Sequence, residues 1–251
     1  MRNIWTICKK ELKSYFTSPV GFVMLALYAF LMGLFFSFML EQFAFYSQRP
    51  QSQGMNVNDM LIRPMLSNLA VVNVFLLPLI SMRLFAEEKR QGTIELLLTS
   101  PVTDLQVLVG KWLSSALMYA ILLAFGSVSM LFLFAYGTPD WRPMAVGYLG
   151  IFLQGCAMLA IGTFISSLTK NQIIAAVCTF VICLALWILD WKATFDSSDT
   201  AKVMAYLSLN GHMESFSRGT LELKDCIYYV SLTVLGLFLT GRSLESIRWR
   251  A

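Results

Sequence analysis

Few residues in this chain have the type and spacing to do chemistry. The only histidine, His212, stands beside Glu214 in a polar stretch and lacks the pattern of oriented partners that acid–base catalysis needs, so it reads as a structural hydrogen-bonding residue. The five cysteines, at positions 8, 156, 178, 183 and 226, form no CxxC pair, which suggests neither a disulfide framework nor a zinc site. Gly110-Lys111 comes nearest to a phosphate-binding loop, but Trp112 follows it and Leu105 occupies the position where GxxxxGK[ST] requires its first glycine. The densest polar chemistry lies in Arg83–Lys111, RLFAEEKRQGTIELLLTSPVTDLQVLVGK, whose clustered charges and leucines suit recognition rather than bond making.

That stretch is held between segments long and apolar enough to cross a bilayer. The chain is 57% hydrophobic and 14% charged, with a mean hydropathy of +0.65, too apolar for a water-soluble domain. Apolar runs of about 17 to 25 residues predict an all-α, polytopic membrane protein with spans at Val20–Leu40, Pro64–Met82, Trp112–Tyr136, Met144–Ser167, Ile173–Leu189 and Cys226–Gly241. The last is short, about 24 Å of helix at 1.5 Å per residue, and is expected to borrow length from the polar segment before it. Placing both termini in the cytoplasm puts 12 of the 19 Lys and Arg residues on that side, including Arg83, Lys89, Arg90 and Lys111.

Around the spans, residues 1–19 read as an amphipathic helix lying in the membrane interface. Ile4, Cys8, Leu12, Tyr15 and Phe16 share one face, and Arg2, Thr6, Lys9, Lys10 and Lys13 the other. The competing reading is a basic leader that continues the first span; no cleavable signal pattern is evident. The outer loop tip Ser47–Gly54 is polar and structurally undemanding. In the longer outer segment 190–225, Val203, Met204, Tyr206, Leu207 and Leu209 predict a short helix ended by Asn210-Gly211, and a second apolar stretch follows through Phe216, Leu221 and Leu223.

Within Arg83–Lys111, Thr93 is placed to cap a short helix Ile94–Thr99 with Glu95 in its first turn, and Pro101 closes it. Thr103 and Gln106 stand at capping-box spacing and start the helix that leads into the third span. A short helix with the ridge Leu96-Leu97-Leu98, preceded by Glu87-Glu88-Lys89-Arg90, suits docking into a groove of another protein. The same pattern also fits a solvated connector whose charges enforce topology.

The run FAEEKRQGTIELLLTSPVT, with Gly-Lys just before the next span, resembles the signature loop of the ABC-2 family of ABC transporter permeases. The whole chain is similar to that family's six-span half-transporter plan, with its N-terminal elbow helix and helical outer segment. The stretch Tyr206–Thr220 and the ending Ser243-Leu-Glu look most like the subgroup associated with gliding-motility and nitrous-oxide-reductase maturation operons. The resemblance implies that 83–111 is a coupling loop seated in a cleft of a separate ATPase subunit, which would bind the ATP and Mg and leave this chain with no cofactor of its own. Glu87, Glu88, Gly92, Thr93 and Glu95 would form or shape that contact, and Leu97 and Pro101 would hold the helix in place. It further implies a bacterial inner-membrane location, a second permease subunit as homodimer or sister chain, periplasmic or accessory membrane partners, lipid around the spans, and no nucleic acid.

Asn68, Asn73 and Gln154 are the strongest polar residues at membrane depth. They could line a substrate path, although hydrogen bonding between helices is the commoner role of such residues. Ala116, Ala120 and Ala124, together with Gly155 and Gly162, allow close helix approach. An intramembrane enzyme is disfavoured, because no GxSxG motif and no acidic or histidine cluster falls at membrane depth. A permease subunit without its own ATPase site is the leading reading, and an ATP-independent membrane scaffold is the alternative.

Overall fold

The computed structural model describes residues 2–47, 57–93, 102–136, 139–195 and 198–248. Helix α1 (Arg2–Thr17) is followed by Ser18, and Pro19 opens α2 (Pro19–Ser47). A π-helical turn, Asn58–Ile62, leads into α3 (Arg63–Ser81), and α4 (Arg83–Gln91) follows after the single residue Met82. Then come α5 (Asp104–Gly126), α6 (Val128–Tyr136), α7 (Trp141–Leu168), α8 (Gln172–Phe195), α9 (Asp199–Leu207), α10 (Met213–Ser217) and α11 (Leu223–Arg248). Among the described residues, six stretches are long and apolar enough to cross a membrane: Pro19–Ser47, Asn58–Gln91, Asp104–Phe134, Trp141–Leu168, Gln172–Trp191 and Leu223–Ser246. The molecule is an all-α, multi-pass membrane protein.

Spans two and four are the most enclosed, whereas one, five and six expose most of their apolar surface, as lipid-facing helices do. Span four is the hub: α7 packs against α3, α4, α5, α8, α10 and α11. Glycines set how closely its neighbours approach. A Cβ on Gly155 would lie 2.1 Å from the Tyr119 ring, and one on Gly162 would lie 2.0 Å from Ser81 Oγ. Of the span-three alanines, Ala116 is buried, Ala120 half-buried and Ala124 exposed. Span three breaks at Ser127, next to Gly126, whose missing side chain leaves room for the Tyr28 ring.

Several boundaries differ from the sequence-based expectation. The polar residues after Met82 continue span two as helix to Gln91, because Ala86, Glu87, Glu88, Lys89 and Arg90 are good helix formers whatever their hydropathy. Span six extends at both ends of its apolar run, from Leu223 to Arg248, rather than only into the preceding segment. The capping box at Thr103 is half used: its hydroxyl accepts from Gln106 N, while the Gln106 side-chain oxygen accepts from Asn3 of α1. α9 ends at Leu207, before Asn210-Gly211, and of the second outer stretch only Met213–Ser217 is helical until α11 begins. Most of the loop tip (48–54) lies outside the described residues, as does 94–101 with the expected helix Ile94–Thr99, Glu95, Leu97 and Pro101.

Candidate functional site

Where α1 meets the bundle, which we term the elbow end, α4 carries the chain toward residues 94–101. Its inner face buries Leu84, Phe85 and Ala86, and these join Val107, Leu108 and Leu244 in a small apolar cluster that unites spans two, three and six. The helix ends at Gly92, which has φ +71°, and the amides of Gly92 and Thr93 both donate to the Glu88 carbonyl. A Cβ on Gly92 would meet nothing within 4 Å. The position is therefore selected for its left-handed backbone, the conformation that stops a helix and redirects the chain.

Four of the five charged side chains on α4, those of Arg83, Glu87, Glu88 and Lys89, have intramolecular partners. Glu88 Oε1 lies 2.8 Å from Lys111 Nζ, which also bonds Glu11 Oε1 of α1 at 3.2 Å. Lys111 is only 2% exposed, and its ammonium lies 5.4 Å from the centre of the Phe85 ring. Arg83 pairs with Glu87 at 3.3 Å and sits over the Tyr15 ring, while Tyr15 Oη donates to the Ile80 carbonyl at 3.0 Å. Burial, and secondarily the Glu11 carboxylate, push the Tyr15 phenol well above its usual range, so it remains a neutral donor. A polar cavity of about 30 Å³ lies among Glu11, Ser14, Tyr15, Arg83, Leu84 and Glu87, enough for one water. Lys89 donates to the Ser167 carbonyl at the end of span four. Thus α4 is tied to α1 and to spans three and four by groups of opposite charge or complementary polarity.

The sequence reading does not single out Glu11, and it gives Lys111 only as the end of the polar stretch and one of the cations on the cytoplasmic side. A signal for both was present. Glu11 is the one acid in a helix with Arg2, Lys9, Lys10 and Lys13, and it lies on the face of Ile4, Cys8 and Tyr15, where a carboxylate needs a buried cation.

Two of the three polar residues expected at membrane depth bond other segments of the chain. Asn73 is fully buried; its Nδ2 donates to Tyr119 Oη at 2.7 Å, and that hydroxyl donates to the Ile151 carbonyl at 2.9 Å. Gln154, also fully buried, donates to the Leu209 carbonyl at 3.3 Å. Asn68 is half-buried. At the far end, His212 does not pair with Glu214, which binds Arg63 and Arg218 instead. His212 Nδ1 lies 2.7 Å from Asp225 Oδ1, its Nε2 is 2.8 Å from the Tyr206 carbonyl, and its ring stacks on Tyr228. Since a carbonyl only accepts, Nε2 is the donor to Tyr206. This clamp fastens α9 and α10 to the start of span six.

A six-span helical bundle whose α4 is latched by charge to span three, with Asn73 and Gln154 bonded inside the bundle, has the frame of a multi-pass membrane domain. The chain belongs to the ABC-2 family of transporter proteins, whose family model matches residues 5–217. It is also similar to the "Probable multidrug ABC transporter permease YbhR" of Escherichia coli strain K12, and to the protein of the same name in strain O157:H7. In each case the identity is 32% over 100 residues, 38% of this chain and 26% of the relative. The matched stretch thus spans about a quarter of those relatives, and the assignment as an ABC transporter permease rests chiefly on the family match.

Proposed function

We propose that this chain couples ATP hydrolysis by a separate ATPase subunit to rearrangement of its six spans. The observation that supports this is α4: beyond Met82 the chain of span two runs on as helix to Gln91, stops at Gly92, and from there enters the signature segment. In this reading the elbow end and both termini face the cytoplasm of a bacterium. Thr93, Glu95, Leu97 and Pro101 belong to the segment that meets the ATPase, Gly92 sets its direction, and Glu87 and Glu88 act from behind it, Glu87 by pairing with Arg83 within α4 and Glu88 by locking α4 to Lys111 of span three. A second permease subunit completes the membrane domain. ATP closure of the ATPase pair moves the two arms together and opens the spans toward the far side. ATP and Mg are bound by the partner.

The outer segment, with its resemblance to the gliding-motility and nitrous-oxide-reductase maturation type, supports a complex that does conformational work on periplasmic partners in place of, or alongside, export. The experiment is purification of the tagged chain from its native membrane in mild detergent, with mass spectrometry of what accompanies it. A stoichiometric protein with a phosphate-loop ATPase motif is expected. A chain that emerges alone, under conditions that keep other membrane complexes intact, would overturn the reading in favour of an ATP-independent scaffold.

A further inference from the structure

The junction between α3 and α4 has an unusual construction. Met82 keeps helical backbone angles, with φ −56° and ψ −31°, yet the regular helix stops at Ser81 and resumes at Arg83. Pro78, one turn earlier, has no amide hydrogen to give to the ladder. The Ser166 hydroxyl of span four enters this break. It donates to the Met82 carbonyl at 2.9 Å and accepts from the amides of Phe85 at 3.1 Å and Ala86 at 3.0 Å. One hydroxyl can donate once and accept twice, so its capacity is filled by the backbone of a different helix. Gly162, one turn earlier on the same face of span four, makes the approach close enough, and Ser166 itself is fully buried. A side chain inserted into a helical ladder is a recognised cause of a helix bend.

We propose that Ser166 is the positioning residue that hands movement of α4 to span four. When α4 is displaced, the three bonds to Ser166 carry the load onto α7, and α7 is packed against span six, as at Ala160 and Gly236, and against α10, as at Gly150 and Phe216. Ser166 would touch neither ATP nor substrate; it works through the arm. The inference rests on the coupling reading above, and the experiment separates the two.

The complex of this chain with its ATPase is reconstituted in lipid nanodiscs with an environment-sensitive fluorescent amino acid at Leu221, an exposed position between α10 and span six. ATP hydrolysis and the ATP-dependent emission change are read together. Ser166→Ala is expected to hydrolyse ATP within about twofold of the parent but to lose about fivefold or more of the emission change, as for a broken coupling between sites. Ser166→Thr, which keeps the hydroxyl, is expected to restore most of it. Should Ser166→Ala fail to fold, Ser166→Cys, similar in size with a weak donor, is expected to show an intermediate loss. An undiminished emission change in Ser166→Ala or Ser166→Cys would overturn the proposal, as would an equal loss in Ser166→Thr, which would assign the effect to packing. A parent complex whose emission ignores ATP would overturn the coupling reading, and this inference with it.

Discussion

At one end of the bundle Lys111 lies between Glu11 and Glu88; at the other, His212 lies between Asp225 and the Tyr206 carbonyl. Both arrangements bury an ionisable group to fasten a short helix to a span, but the materials differ. The far-end clamp uses short side chains, a stacked ring and partners within one stretch of sequence, 206–228. The elbow-end knot draws on three remote segments, and every member is a long side chain that can follow a moving partner. The first construction suits a fixed attachment and the second a joint under changing load. This contrast places the moving part of the proposed coupling at α4 and treats α9 and α10 as cargo of span six.

The largest test of this contrast is Lys111→Met. It leaves Glu11 and Glu88 facing each other without a cation, and the expected loss is about 4 kcal/mol, the scale for breaking a buried ion pair. An SDS unfolding titration measures it. Restoring stability by adding Glu11→Gln and Glu88→Gln to Lys111→Met would identify the uncompensated charge as the cause. An unfolding midpoint for Lys111→Met equal to the parent's would mean that the knot carries no stability.

His212→Ala is expected to cost less, about 2 to 3 kcal/mol, the scale for leaving buried hydrogen-bonding groups without their partner. The sharper readout is functional: ATP hydrolysis by the complex should stay near the parent rate in His212→Ala and fall in Lys111→Met. Equal losses in both would erase the distinction between attachment and joint. Gly155→Ala probes the packing that separates the two ends. The new methyl displaces Tyr119 and with it the bond to Asn73, and about 2 kcal/mol of destabilisation is expected in the same titration. Gly92→Ala is the mildest change, about 1 kcal/mol for forcing an L residue into the left-handed region. Its hydrolysis should nonetheless respond poorly to the membrane subunit, since the chain leaves α4 in a new direction.

Much of the fold was legible in the sequence because bilayer thickness makes apolar run length informative: six runs became six spans. The ends of those spans were not, since a helix is propagated by backbone hydrogen bonds and helix-forming residues, and hydropathy is blind to both. The span-two extension through Arg83–Gln91 and the span-six extension to Arg248 are cases of this. Of the candidate site, Gly92 was visible as a residue type, but its role as a helix stop depends on the helix before it. Glu11 and Lys111 are separated by 100 residues, and only packing of α1 on α5 brings them together. Ser166 had no legible signal, because an ordinary serine near a helix end becomes a joint only through the broken ladder of its neighbour.

The most direct test of the account is a photo-crosslinking amino acid at Gln91, the exposed last residue of α4, compared with one at Leu221 at the far end. After irradiation of the intact complex, the account predicts a covalent adduct between position 91 and a phosphate-loop ATPase, and none from position 221. An intact complex that gives no ATPase adduct at 91, or gives one at 221, would contradict it.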